Sequence, residues 1–203
     1  MAHDLCVPHL SYDELRGIAA DFLRRHHPAG SIPVPIEEII EIRLHLDVIP
    51  TPGLQTVFDV DAFITSDMES IFVDEFIYQS RHGRYRFSLA HEIAHAVLHQ
   101  KTYRSLSFDS IDSWKKAQER IPDEQYGWLE WQGYAFAGLV LVPESALKQL
   151  FDSARSRAEA AGVPFLNAND AVRRRVSGSL ADEFDVSTEV VERRIAKDEL
   201  WPT

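Results

Sequence analysis

One stretch constrains this chain more than any other: Arg86-Phe87-Ser88-Leu89-Ala90-His91-Glu92-Ile93-Ala94-His95-Ala96-Val97-Leu98-His99. It carries His-Glu-x-x-His in an apolar frame, and its pattern predicts a helix from about Tyr85 to His99. Residues four apart on a helix lie on one side, one turn above each other. His91 and His95 can therefore offer two imidazoles to one metal ion, with Glu92 placed to hold a water beside it. This is the spacing of a zinc-hydrolase helix. A catalytic zinc keeps three protein ligands and one open position, so the rest of the chain has to supply a third ligand, a substrate wall and a target.

His99 lies eight residues beyond His91, about 12 Å further along the axis. It cannot share an ion with both histidines on one straight helix, and reads instead as a packing residue or a hydrogen-bonding support. A histidine six residues beyond His95 would mark a different zinc-protease clan; that position is Lys101, and Leu98 stands where that pattern has glycine. The third ligand should then be an acid on a later helix. Glu130, within Leu129-Glu130-Trp131-Gln132, fits best, because a carboxylate in so apolar a helix needs a partner to be buried. A Glu130 that faces solvent beside Trp131 is the plain alternative, with Glu124 and Glu144 in reserve.

Composition narrows the setting. The 203 residues suffice for one core or a core with a small appendage. A net charge of −11 disfavours nonspecific attraction to nucleic acid over the whole surface. The lone cysteine, Cys6, can form no intrachain disulfide and reads as a stray residue near a loose terminus rather than a reactive thiol. Met1 to Leu10 has neither the basic start nor the apolar run of a signal peptide, and no stretch approaches the roughly 18 apolar residues of a membrane span. The expected location is the cytoplasm.

Ser11-Tyr12-Asp13-Glu14 is a capping box opening a helix with Leu15, Ile18, Ala19, Phe22 and Leu23 on its buried face, ending near His26-His27-Pro28. The adjacent pair His26-His27 points about 100° apart on a helix and suits an exposed end better than a metal. Pro35 begins a short helix buried through Ile36, Ile39 and Ile40. Leu44 to Ile49, Val60 to Thr65 and Ser70 to Ile77 read as three strands of a small antiparallel sheet, with a turn at Ser66-Asp67 and a break at Pro50-Thr51-Pro52-Gly53. One of its edges could take an extended peptide. The polar connection from Gln100 to Asp123, with a short helix around Ser113 to Arg120, has the length of a lid. Gln125 to Gly138 is a strong helix whose apolar run continues to Val142. Pro143 opens another helix that reaches Ala161, with Gly162 and Pro164 after it. Asn169 to Phe184 and Ser187 to Lys197 have the flavour of a helix-turn-helix. Its second helix offsets Arg193, Arg194 and Lys197 with Glu189, Glu192, Asp198 and Glu199, so packing on the core is favoured over direct DNA binding.

The motif helix, followed by Glu130-Trp131-Gln132-Gly133-Tyr134-Ala135-Phe136-Ala137-Gly138-Leu139-Val140-Leu141-Val142-Pro143, resembles the ImmA/IrrE family of zinc metallopeptidases. That family joins a phenylalanine-led HExxH helix to a later block, Glu-x-x-Ala-Asn-x-Phe-Ala, ending in Leu-Leu-Met-Pro. The resemblance runs from about Ser11 to Leu200, though its specific motifs cover two blocks. It implies a zincin-like α+β fold, a metallopeptidase core over 1–150 and a helical extension over 151–203. It further implies one Zn2+ held by His91, His95 and Glu130, and Glu92 as catalytic acid/base. Gly133-Tyr134 replaces the usual Ala-Asn, and Val142 the usual methionine, which bears on specificity more than on the metal site. Glu92 would take a proton from water and pass it to the leaving amine. A transition-state stabiliser is also expected, with Tyr134, His82, Arg84 and Arg81 as candidates.

The resemblance implies a protein substrate, a helix-turn-helix repressor whose cleavage relieves repression of stress or mobile-element genes. Two rival readings accompany it: a non-cleaving partner-binding half of a toxin–antitoxin pair, and a DNA-binding regulator that uses Leu180 to Lys197. Glu92 beside both histidines argues against the first, because a structural metal needs no base; net charge argues against the second.

Overall fold

The computed structural model describes residues 7–163, 165 and 168–201; Cys6 and Pro164 lie outside the described residues. α1 (Tyr12–His26) begins at the expected capping box. The Ser11 hydroxyl accepts from the Glu14 backbone N–H, and the Glu14 carboxylate accepts from the Ser11 N–H. α2 (Ile36–Glu38) runs on into a π-helical turn (Ile39–Arg43), and Ile36, Ile39 and Ile40 are buried as their spacing requires. The sheet follows, with β1 (Asp47–Thr51), α3 (Leu54–Phe58), β2 (Ala62–Ile64) and β3 (Ser70–Asp74).

The sheet departs from the antiparallel expectation. Its order is β1-β3-β2: β2 pairs antiparallel with β3 across the turn at Thr65–Glu69, but β1 pairs parallel with β3, Ile49 opposite Phe72. A parallel neighbour needs a crossover, and α3 with β2 provides it. β1 also retains Pro50 and Thr51, which were expected to break it; an edge strand tolerates proline because one row of its donors has no partner. The third strand stops at Asp74 rather than reaching Ile77, since the Asp74 carboxylate accepts from the Phe76 and Ile77 backbone N–H groups and caps α4 (Glu75–Ser80).

The motif helix α5 (His82–Leu98) starts one turn earlier than expected. It packs against the sheet through β2 and against α8 (Asp123–Leu141), whose other side receives α1. Between α5 and α8, residues 100–123 do not form an open lid. They fold as α6 (Gln100–Leu106) and α7 (Ile111–Gln118), and bury Tyr103, Leu106, Phe108, Trp114, Ala117 and Ile121. Tyr103 stacks on Trp114 (5.4 Å, 29°), and Ser66 bonds Phe108 through both its N–H and its hydroxyl, so the segment is tied to the sheet.

The C-terminal elements are α9 (Glu144–Ala160), α10 (Asp170–Phe184) and α11 (Thr188–Lys197). They build a second apolar cluster from Val142 to Ile195, separate from the main core that spans Val7 to Leu141. Residue 150, the expected boundary, falls inside α9, whose buried Leu147, Phe151 and Ala154 all belong to the second cluster. Buried Arg194 joins the two parts: its guanidinium donates to the Val142 carbonyl and the Tyr12 hydroxyl. Arg86 does the same from α5, donating to the carbonyls of Val34 and Asp185. The architecture is therefore α+β, mostly helical with a small mixed sheet. Among the described residues, no helix is long and apolar enough to cross a membrane.

Candidate metal centre

Helical periodicity puts His91, Glu92 and His95 on the face of α5 that meets β2 and α8, and all three are buried. One ligand atom from each lies within 4.8 Å of the others. The Nε2 atoms of His91 and His95 stand 3.0 Å apart, their rings nearly perpendicular. From α8, the Glu130 carboxylate reaches to 3.4 Å from His91 Nε2. Among the described residues, the cleft around them is a cavity of about 380 Å3 whose walls include Phe63 from β2, Tyr103 and Trp114 from the connecting helices, and Tyr126 and Tyr134 from α8.

Glu92 is held from the sheet side, where its carboxylate accepts from the Ile64 backbone N–H at 2.8 Å. Burial pushes its pKa up to about 8; His91 and the Ile64 N–H oppose the rise, and Glu130 adds to it. His95 is driven well below the usual histidine value by burial, helped by the neighbouring His91 and His99 rings. Burial also pulls His91 down, but its hydrogen bond to Glu130 and the charges of Glu92 and Glu130 outweigh that, and its pKa ends up raised. The centre thus brings together two imidazoles and two acidic side chains.

That donor set fits a divalent cation. Two imidazole nitrogens and two acidic side chains converging in a buried cleft are the nitrogen and oxygen donors such an ion takes. The two converging Nε2 atoms can share one hydrogen between them or face one ion. Among the described residues, His91 Nδ1 is buried without a hydrogen-bond partner, so His91 is held from its Nε2 side.

The structure distributes the candidate stabilisers unevenly. Tyr134 and Arg84 line the cleft. Tyr134 is half-exposed at its rim, its ring 4.6 Å from that of His91. Arg84 is engaged by Asp61, with Nη2 2.7 Å from Oδ1. His82 and Arg81 are outside the lining: His82 Nε2 is 2.8 Å from Asp185 Oδ2, and Arg81 lies over the Phe76 ring. Glu124 and Glu144 are absent from the lining as well.

Three contributors were not anticipated from sequence. The Ile64 N–H is a backbone group, which no residue pattern can flag. Tyr103, stacked on His95 at 4.9 Å, lay in the segment taken for a polar lid. Tyr126, which lines the cleft with Glu130, stands four residues before it on the same helix, a spacing that could have been used.

A second, larger cavity of about 720 Å3 adjoins the cleft, sharing Arg84, Phe87 and Tyr134 as a common wall. Trp131 and Gly138 from α8 and Val190 and Lys197 from α11 continue it, so the C-terminal helices border the approach to the metal centre.

Comparison with known proteins accords with this arrangement. No curated protein matches the chain. A solved Mycobacterium tuberculosis transcriptional regulator is similar in fold, with a TM-score of 0.51 and 14% sequence identity over 92% of this chain and 52% of that one. The chain therefore spans about half the length of that regulator. The family model described as the IrrE N-terminal-like domain, Peptidase_M78, matches residues 54–196. That interval takes in the motif helix, Glu130 and the C-terminal helices, and the chain belongs to this family of metallopeptidase-type fold.

Proposed function

We propose that this protein is a zinc-dependent metalloendopeptidase, with His91, His95 and Glu130 as metal ligands and Glu92 as the catalytic acid/base. The observation that carries the reading is the placement of Glu92. Its carboxylate is buried beside the two converging imidazole nitrogens and fixed by the Ile64 N–H, a position a purely structural metal would not require.

Zinc, when bound, supplies Lewis acidity that makes water acidic near neutral pH and polarises a peptide carbonyl. The chain's own residues do the rest. A carboxylate whose pKa is lifted toward neutrality can accept a proton from water and return it to a leaving amine. Tyr126 lines the cleft beside Glu130, its hydroxyl accepting from Gln118 Nε2 at 2.9 Å. Tyr134, at the rim beside His91, is the best-placed group to stabilise charge developing on the substrate, with Arg84 second because Asp61 already engages it. Tyr103 and Trp114 close the cleft against bulk water on the α6–α7 side.

The substrate in this reading is a protein, a helix-turn-helix transcriptional repressor cut to relieve repression. The adjoining apolar groove can receive side chains of an extended segment on either side of the scissile bond. Direct DNA binding through α10 and α11 is disfavoured, since Arg194 is buried and Arg193 is paired with Glu189 on its own helix.

The test is incubation of the zinc-loaded protein with helix-turn-helix repressors of its own source, followed by mass spectrometry, with Glu92→Gln in parallel. Two fragments from the wild type and none from Glu92→Gln are expected. A stable complex without fragments would favour the non-cleaving partner role, and equal cleavage by Glu92→Gln would overturn the assignment of the base.

A further inference from the structure

Behind the metal centre runs a line of buried polar groups that the proposed catalysis does not use. His95 Nδ1, on the side of the ring away from His91, is 3.0 Å from His99 Nδ1. His99 Nε2 is 3.0 Å from Gln132 Oε1. The Gln132 amide nitrogen is 2.7 Å from the Pro8 carbonyl oxygen. His95, His99 and Gln132 are all buried, Gln132 completely, so solvent cannot substitute for the partners between them, while Pro8 at the outer end of the line is exposed.

The direction of every hydrogen bond in this line follows from its far end. A carbonyl oxygen has no hydrogen to give, so Gln132 must turn its NH2 toward Pro8 and its oxygen toward His99. An amide oxygen only accepts, so His99 carries its ring hydrogen on Nε2. A neutral imidazole with hydrogen on Nε2 has a lone pair on Nδ1, which then accepts from His95 Nδ1–H. His95 is left with its lone pair on Nε2, the atom that faces His91 and Glu130's side of the cleft.

We infer that Pro8, Gln132 and His99 form a relay that locks His95 in the form with hydrogen on Nδ1, so that a metal-binding lone pair on Nε2 is present before any metal arrives. Gln132 and His99 are positioning residues in this scheme; neither reaches the ion. Among the described residues, His91 has no counterpart, because its Nδ1 is without a hydrogen-bond partner. The two histidines of the motif are therefore inequivalent, His95 preset and His91 adaptable. The relay also makes the segment at Pro8, well before the motif in sequence, part of the metal site's support.

The inference rests on the metallopeptidase reading for its purpose but not for its geometry, and the experiment separates the two. Zinc affinity is measured by chelator competition for the wild type, Gln132→Leu and Gln132→Glu, with thermal melts as fold controls. The ring tautomer of His95 is read in the metal-free wild type and in Gln132→Leu by long-range 1H–15N correlation. The expected result is a wild-type His95 with hydrogen on Nδ1, mixed tautomers in Gln132→Leu, and zinc affinity about 10- to 100-fold weaker in that variant, the usual cost of losing an outer partner. Gln132→Glu keeps an acceptor oxygen facing His99 and should restore affinity to within a few-fold of wild type. A wild-type His95 with hydrogen on Nε2 overturns the relay whether or not the variants fold, as does undiminished affinity in a folded Gln132→Leu. A wild type that carries the Nδ1 tautomer yet fails to bind zinc would overturn the metallopeptidase reading and leave the relay standing.

Discussion

The ring of His91 lies directly against Gly133: a Cβ built on that glycine would sit 2.7 Å from His91 Cε1 and 3.1 Å from Nδ1. Gly133 is in the middle of α8, where alanine would otherwise be favoured by about 1 kcal/mol. Its place is explained by the imidazole that needs the room. Gly133→Ala should therefore leave the melting temperature near or slightly above wild type while turning His91 aside. The expected consequence is zinc affinity lower by about tenfold, on the scale of lost outer-partner support. Isothermal titration beside a thermal melt would check it; unchanged affinity would mean that the ring yields without cost.

Glu92 carries a linked prediction about stability in the metal-free protein. Its pKa is raised from 4.5 to about 8 by burial, so the folded state holds this proton more tightly than the unfolded state. Below about pH 4.5 both states are protonated and the group costs nothing; as pH rises toward 8 the unfolded state gains by ionising and the folded state is progressively disfavoured. Glu92→Gln should thus match wild-type stability at pH 4.5 and exceed it increasingly up to pH 8, with no further gain above. Melts of the metal-free proteins across that range would measure the difference; a constant offset would refute the linkage.

Glu130 is 3.4 Å from His91 Nε2, and Tyr126, one turn before it on α8, lines the same cleft. With Glu130 as the third ligand, Glu130→Ala should weaken zinc by more than the roughly 100-fold upper range of an outer partner, whereas Tyr126→Phe, which removes only a neighbouring hydroxyl, should cost no more than about 10- to 100-fold. Metal competition assays on both variants would separate ligand from support. Equal, small losses would return Glu130 to a bystander role.

Arg194 tests the attachment of the C-terminal helices. Its Nη1 donates to Asp198 Oδ1 at 3.0 Å and its Nη2 lies 2.9 Å from Oδ2, and both side chains are 3% exposed. Arg16 also reaches Asp198 at 2.8 Å. Arg194→Met should destabilise the fold by about 3 kcal/mol, the low end for breaking a buried pair, because Arg16 still partly compensates the remaining carboxylate. Denaturant unfolding would measure it, and a loss below about 1 kcal/mol would place the pair among surface bridges.

Much of this molecule could be read from short-range pattern. The capping box at Ser11 and Glu14, the apolar face of α1 and the His91-Glu92-His95 face of α5 all depend on spacing within one or two turns, and spacing is written in the chain. The same holds for α8, whose apolar run survives the substitution of Gly133 and Tyr134 into it. The pairing of β1 with β3 was not legible, because parallel and antiparallel strands of this length carry the same residue pattern and differ only in how the chain between them travels. The segment 100–123 looked polar because Tyr103, Phe108 and Trp114 are too irregularly spaced to mark a helix face, yet they meet in space as one aromatic cluster.

The metal centre divides along the same line. The sequence by itself determined that the two imidazoles would share one helix face, with Glu92 next to them in the chain, since residues four apart on a helix lie one turn above each other. Only the tertiary structure decided that Glu130 approaches His91, that the Ile64 N–H holds Glu92, and that Pro8, Gln132 and His99 stand in line behind His95. Apart from the His95–His99 pair, which lies one turn apart on α5, those contacts join residues 28 to 124 positions apart and no local pattern encodes them; they arise because burying α5 between the sheet and α8 forces each of its polar groups to find a partner there.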